Sequence, residues 1–379
     1  IEMIDIGGPS LLRAAAKNYK YITAISSIKN YENLILNLKK NRGITEINFR
    51  KKMASEVFKK TSKYDDVINQ WLIKYKKNNQ NKSLRYGENP NQKSYIKEEN
   101  GISIFDYQIN GKDLSYNNIM DIDSGFKCLK EFKEPTCIII KHNNPCGVAS
   151  SSKIELAFKK CYESDSKSAF GGIVLLNRKV SSKLADLIKE NFFEIIVAPN
   201  FYKSAYSILS KKRRMILLKL DKINLKNEDF RSTLFGTLYQ KNDLDIIDKN
   251  FFKRMSNRKI SKKLFSDLIF ATKVVKHVKS NAIVLCNNKQ TVGLGMGKTN
   301  RIDSLKDAIK SYKNNFKNKN FVCVSDGFFP FTDSLKLLAK NNCKSLAQPA
   351  GSINDSEIIK FAKNNNLSLY FLKNRLFKH

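Results

Sequence analysis

The sequence predicts an α/β protein, and three observations predict it. After Lys82 the chain alternates short β-branched runs, polar loops and amphipathic helices. The order of events in 136–200 resembles that in 282–372: a strand into a polar loop, a helix, a strand with a Gly or Pro turn, another helix and a final strand. Apolar residues make up 41% of 379 positions, enough for two or three units whose cores close without disulfides.

Residues 9–18, PSLLRAAAKN, read as a helix with an early Pro and strong helix formers. A β-rich stretch, YITAI, follows. From about Tyr31 to Lys77 the periodicity is helical and the surface highly charged, as in a connector. Candidate strands are Thr136 to Ile140, Gly172 to Leu176, Glu194 to Ala198, Ala282 to Cys286, Phe321 to Val324 and Leu367 to Leu372. Candidate helices are Ile154 to Cys161, Ser182 to Asn191, Phe265 to Val275, Ser304 to Tyr312, Ser334 to Asn341 and Ser356 to Asn364. Three segments are expected: 1–77, and two related α/β subdomains at 78–240 and 241–379.

Composition excludes several classes. No apolar run approaches the roughly 18 residues of a membrane span, and the N-terminal segment lacks the pattern of a signal peptide, so a cytosolic protein is expected. The chain begins at Ile and enters directly into a patterned segment, which is expected of an N-terminally truncated portion of a longer protein. The seven cysteines form no C-x-x-C pair, which argues against a zinc ribbon or a thioredoxin-type site. A formal charge of +34 would ordinarily suggest nucleic acid. Here lysines occur on nearly every helix and loop, mixed with Asn and Ile, as in a compositionally biased surface, so no nucleic-acid partner is expected. A basic nucleic-acid-binding module is the reading from another class, and salt-sensitive retention on DNA would favour it.

The segment CIIIKHNNPCG ends a buried-type strand in Lys141, His142, Asn143 and Asn144. Strand ends in α/β folds are where ligand-facing side chains collect. An adjacent Lys and His suit acyl transfer, the imidazole accepting a proton from an amine and the ammonium steadying charge on a carbonyl oxygen. The alternative is a turn in which His and Asn cap the backbone. The other histidines are His277, in KHVKSNAIV, and His379; His277 equally suits a satisfied structural role. LRYGENPNQ offers Arg85 for a phosphate or carboxamide and Tyr86 for stacking. SAFGG places Gly171 where backbone can approach a planar ligand. GLGMGKTNR fails the Walker pattern, because the first glycine would fall at Val292, and leaves a Gly-rich turn with Arg301 free to meet an anion. SDGFFPFTD could wall a flat heterocycle. A zinc deaminase is rejected: no H-x-E occurs, and position 149, where P-C-x-x-C needs its second cysteine, is Ala.

Together these segments resemble the bifunctional AICAR transformylase and IMP cyclohydrolase family along the whole chain. The residues that carry the resemblance are IDIGGPSLLRAAAKN, LRYGENPNQ, YNNIMDIDSG, KHNNPCGVA, SAFGGIV, EIIVAP, KHVKSNAIV, VGLGMGKTNR, SDGFFPFTD, QPAGSIND and NRLFKH, in family order. The resemblance implies a transformylase domain of two cytidine-deaminase-like α/β subdomains without zinc, preceded by the C-terminal remnant of a methylglyoxal-synthase-like domain. It implies a homodimer with sites at the subunit interface. The reaction moves the formyl group of 10-formyltetrahydrofolate, a folate co-substrate, onto the 5-amino group of AICAR. Lys141 and His142 would be the catalytic pair, with Asn281 the third catalytic polar residue. His142 would relieve the amine of its proton; Lys141 would support the oxyanion or deliver a proton to the departing folate nitrogen. Substrate contacts carried over are Arg85, Tyr86, Gly171, Glu194, Arg301, Phe328, Asp333, Arg375 and His379. Some relatives hold a structural monovalent cation, and the resemblance admits one here.

The match departs from the family pattern at Asn91, Lys298 and Asn354 and in LFGTLYQ around Gly236. Asp5 and Lys17 match cyclohydrolase residues, but the phosphate-binding loop of that domain has no counterpart here. The expectation is that the intact parent closes the IMP ring and this portion does not.

Overall fold

The computed structural model describes residues 1–77, 81–98, 103–221, 226–316 and 319–379. The chain divides into two compact units: Ile1–Lys82 with Ile96–Asn100, and Ser83–Tyr95 with Gly101–His379.

The first unit is built from helices α1 (Gly7–Lys17), α2 (Tyr31–Lys40) and α3 (Ile47–Lys77). Ala16, Ala24, Ala54 and Val57 form a small core with Leu12, Ala15 and Tyr19. The expected β-rich YITAI is not a strand. A strand needs a neighbour for its ladder; here Arg50 takes the carbonyls of Tyr19 and Lys20, both at 2.9 Å, and Thr23 Oγ1 lies 2.7 Å from Thr45 Oγ1.

The second unit holds a twelve-stranded mixed sheet. In chain order its strands are β1 (Gln108–Asn110), β2 (Thr136–Lys141), β3 (Asn144–Ser150), β4 (Ile173–Leu176), β5 (Ile195–Ala198) and β6 (Ile216–Lys219), then β7 (Phe252–Arg254), β8 (Ile283–Asn287), β9 (Gln290–Gly295), β10 (Phe321–Ser325), β11 (Cys343–Pro349) and β12 (Ser368–Leu372). They lie in the order β7-β12-β11-β10-β8-β9-β3-β2-β4-β5-β6-β1, so the second six repeat the first six about the β3/β9 seam. In each half a hairpin (β2/β3, β8/β9) leads to an antiparallel neighbour (β4, β10), then two parallel strands and an antiparallel edge. At the seam Gln290 pairs with Ala149.

Helices cover both faces, which is why the inner strands are nearly continuous apolar runs. They are α4 (Tyr116–Leu129), α5 (Ile154–Ser164), α6 (Ser166–Ala169), α7 (Ser182–Lys189), α8 (Lys203–Leu209), α9 (Lys262–Val275), α10 (Arg301–Phe316), α11 (Asp333–Ala339) and α12 (Asp355–Asn364). Alternation along each strand divides the core. Ile138 and Ile140 join Val284 and Val324 in one cluster shared by both halves, with Phe126 of α4 and Leu268 of α9. Cys137 and Ile139 face a core with α5, α7 and α8, while Ile283 and Leu285 face a separate one with α10, α11 and α12.

All six candidate strands and all six candidate helices of the sequence form, with ends moved by a few residues. Two segments read as loops are strands. β3 carries Pro145 and Gly147, and β9, the Gly-rich stretch, carries Gly293 and Gly295. These glycines admit a helix backbone: a Cβ on Gly293 would overlap the Ala308 carbonyl of α10, and one on Gly295 the Ser304 carbonyl. Beyond the sheet, Glu228–Thr233 and Gly236–Lys241 form an exposed antiparallel hairpin with Leu234 and Phe235 at its tip.

Candidate active site

The hairpin turn between β2 and β3 presents the Lys-His pair. Lys141 pairs with Asn144, and His142 and Asn143 between them have φ of 54° and 62°. Positive φ at both central residues is the geometry of a type I′ turn. Asn and His enter it more readily than most residues, although a non-Gly residue there still costs on the order of 1 kcal/mol. The polar loop expected after the strand is therefore a tight turn, within which the Asn144 side chain donates to the His142 carbonyl at 3.3 Å. His142 is exposed and Lys141 half-buried. Lys141 Nζ donates to the Phe170 carbonyl at 2.9 Å, which brings SAFGG against KHNN. Next to it Gly171 has φ of 73° and donates to the Phe192 carbonyl at 2.8 Å.

One group of candidates gathers beside this turn. Glu194, just before β5, receives Lys112 Nζ at 2.8 Å and lies 3.6 Å from Arg85 Nη2. Arg85 also donates to the Tyr86 hydroxyl at 2.9 Å, its guanidinium 4.6 Å from the ring centroid. Asp121, on α4, accepts the Asn143 amide at 2.5 Å. Burial raises the Asp121 carboxyl above its ordinary range; amide donation from Asn143 and His142 and the His142 charge oppose the rise, and the Glu194 charge adds to it.

A second group surrounds Asn281. Its Oδ1 accepts Arg301 Nη2 at 2.7 Å, and its Nδ2 donates to the carbonyls of Lys298 (2.9 Å) and Thr299 (3.1 Å). Arg301 Nη1 pairs with Asp326 and donates to Ser325 Oγ at 2.9 Å; Asp326 accepts Ser280 Oγ at 2.6 Å. Arg301, expected to be free for an anion, is thus almost buried and engaged on both terminal nitrogens. The cause is Asp326, a fully buried carboxylate that needs a charge partner.

The two groups meet at the turn. Asn144 Oδ1 accepts the Lys279 amide at 3.1 Å. Ser124 Oγ donates to the Asn143 carbonyl at 3.0 Å, and Lys378 Nζ reaches both Ser124 Oγ (3.2 Å) and the His277 carbonyl (3.3 Å). Burial lowers the Lys378 pKa. From the C-terminal motif it is this lysine that reaches Ser124, the donor to the turn. Arg375 is exposed, 5.1 Å from the Phe377 ring, and His379 is exposed with its carbonyl bonded to Arg231 at 2.8 Å. Phe328 is half-buried, and Asp333 is exposed at the start of α11, accepting the Ser334 amide at 2.7 Å.

Sequence reasoning missed Asp121, Ser124, Asp326 and Lys378. A signal existed for the first two: in YNNIMDIDSG they stand three apart, the spacing that puts side chains on one helix face. That segment carried the resemblance but was not recognised as a helix.

Lys141 and His142 open onto a cavity of about 430 Å³ lined also by Cys146, Asp165, Thr291 and Met296. All seven cysteines are free, and burial pushes the Cys146 thiol up to about 12. A second cavity, about 580 Å³, contains His277, whose Nε2 lies 3.2 Å from Glu131 Oε1. Among the described residues no group of three or more His, Cys, Asp or Glu could hold a metal ion, and no helix is long and apolar enough to cross a membrane. In the first unit, Asp5 Oδ1 accepts the Gly8 amide at 2.9 Å at the head of α1, while Lys17 ends that helix exposed.

A turn that holds an amine and an imidazole at a cavity, with a carboxamide and a guanidinium nearby, has the donors and proton acceptor that acyl transfer needs. Comparison with known proteins agrees. Residues 15–311 match the family model described as AICARFT/IMPCHase bienzyme. The bifunctional purine biosynthesis protein PurH of Caldicellulosiruptor bescii is 43% identical over the whole of this chain and 77% of its own length. Its namesakes from Fusobacterium nucleatum and Buchnera aphidicola are 42% and 40% identical over the same shares. A family model spanning most of the chain and relatives at 40–43% identity over all of it establish that the chain belongs to the AICARFT/IMPCHase bienzyme family.

Proposed function

We propose that this chain transfers the formyl group of 10-formyltetrahydrofolate to the 5-amino group of AICAR. The observation that carries the reading is the β2/β3 turn, which sets Lys141 and His142 at a cavity and contacts the Lys279–Asn281 segment through Asn144. The amine is a weak nucleophile, its lone pair delocalised into the imidazole and carboxamide of AICAR. His142 takes its proton as nitrogen attacks the formyl carbon. Lys141 supports the oxyanion that forms, the carbon–nitrogen bond to folate breaks, and the departing nitrogen receives the proton. The products are formyl-AICAR and tetrahydrofolate.

Arg85, with Tyr86 and Glu194 in contact with its guanidinium, forms a group suited to a planar polar ring. Asn281 and Arg301 form a second, hydrogen-bonded pair. The exposed positions of Arg375, His379 and Asp333 fit contacts to a second subunit in a cytosolic homodimer. Ring closure to IMP lies outside this reading for the residues at hand, since Asp5 caps a helix and Lys17 stands apart in solvent.

The test is a spectroscopic assay for tetrahydrofolate formation from AICAR and 10-formyltetrahydrofolate, with wild type and His142→Ala. Turnover that is lost in the variant upholds the reading. A folded wild-type chain without turnover, alone and after addition of a second copy at high concentration, overturns it.

A further inference from the structure

Histidine enters the left-handed region more readily than most residues, but that preference alone does not fix two consecutive positive-φ residues at His142 and Asn143. The explanation lies in α4, which grips the turn from both of its polar sides. Asp121 accepts the Asn143 amide at 2.5 Å, and Ser124, one turn along the same helix face, donates to the Asn143 carbonyl at 3.0 Å.

The internal repeat supplies a natural comparison. At the equivalent place in the second half, Asn288 and Lys289 form the β8/β9 turn with φ of 52° each. Asp267, on α9, accepts their amides at 2.9 and 2.8 Å. The clamp is of the same kind, holding two amides here and one in the first half, but this turn carries no Lys-His pair. The surroundings differ accordingly. Asp267 faces Lys263 and Lys289, whereas Asp121 faces His142 and Glu194.

We infer that Asp121 is the positioning residue of the transfer site: by holding the Asn143 amide it fixes the direction in which Lys141 and His142 enter the cavity, while Asp267 holds a turn of structure alone. The inference rests on the transfer reading above. Asp121 need not touch substrate to matter, because reacting groups must be placed within a fraction of an ångström and a 1 Å error costs about a hundred-fold in rate.

The experiment compares Asp121→Ala, Asp121→Asn and Asp267→Ala in the full chain, reading kcat, KM for AICAR, thermal stability and hydrogen exchange of the two turns. Asp121→Ala is expected to lower kcat about a hundred-fold with KM changed less than about two-fold, and to speed exchange at 141–144. Asp121→Asn, which keeps an acceptor oxygen, is expected to recover most of kcat. Asp267→Ala is expected to speed exchange at 287–290 and lose similar stability with kcat unchanged. Equal kcat in the two alanine variants, or a rise in KM with kcat retained, overturns the inference. Should Asp121→Ala fail to fold, Asp121→Asn takes its place, with a smaller loss of kcat expected and none overturning the inference. Absence of turnover in wild type would sink the transfer reading alone; the clamp is then decided by exchange, where unchanged rates at 141–144 overturn it and faster rates uphold it.

Discussion

Arg301 and Asp326 form an ion pair inside the second half of the sheet, the aspartate fully buried and the arginine side chain 10% exposed. Removing one charge from such a pair strands the other in a low-dielectric interior. Asp326→Asn is therefore expected to cost about 3 kcal/mol, and the double variant Asp326→Asn/Arg301→Gln less than the sum of its singles. Urea unfolding checks both. Because Asn281 Oδ1 depends on Arg301 Nη2, the single variant should also reduce transfer.

Gly293 is a position where β9 touches α10. Its Cβ-less backbone lies against the Ala308 carbonyl, so Gly293→Ala must push the helix off the sheet. A loss of about 1–3 kcal/mol is expected, read as a lower melting temperature. Unchanged stability would show that α10 can move away freely.

The buried His277–Glu131 contact sets a pH dependence. Burial lowers the His277 pKa despite its carboxylate partner. For Glu131, burial acts upward but is outweighed by the hydrogen bond and charge of His277 and by Lys276, so its pKa is lowered. The unfolded chain then binds more protons than the folded one as pH falls below the ordinary histidine value of about 6.5, and stability falls with it. The Glu131 contribution is lost further down, below the ordinary glutamate range. Urea unfolding at pH 7.5 and 5.5 should show a drop in wild type and a smaller one in His277→Gln. An equal drop in both would assign the effect to other groups.

Legibility in the sequence followed packing. β2, β4, β5, β8, β10 and β12 were visible because strands buried on both faces are apolar runs. β3 and β9 were hidden because Gly147, Gly293 and Gly295, which weaken a strand signal, are there for close helix approach. Lys141 and His142 were legible as a strand end, but the left-handed turn was not, since its cause, Asp121, lies 22 residues before Asn143. The engagement of Arg301 was equally hidden, its partner Asp326 being 25 residues downstream. Arg85, Tyr86 and Glu194 were named through the resemblance, and their mutual contacts through Glu194 emerged only with the fold.

The seam between β3 and β9 bears on how the protein can be handled. Each half of the repeat has its own helices and its own outer core, and the two share one further core cluster. Separating the halves would strip β3 and β9 of their shared pairing, including the Ser150 amide to Lys289 carbonyl bond at 2.9 Å, and turn both into open edges with unpaired amides and carbonyls. Such edges are templates for further strand addition, so isolated halves would recruit copies of themselves and aggregate.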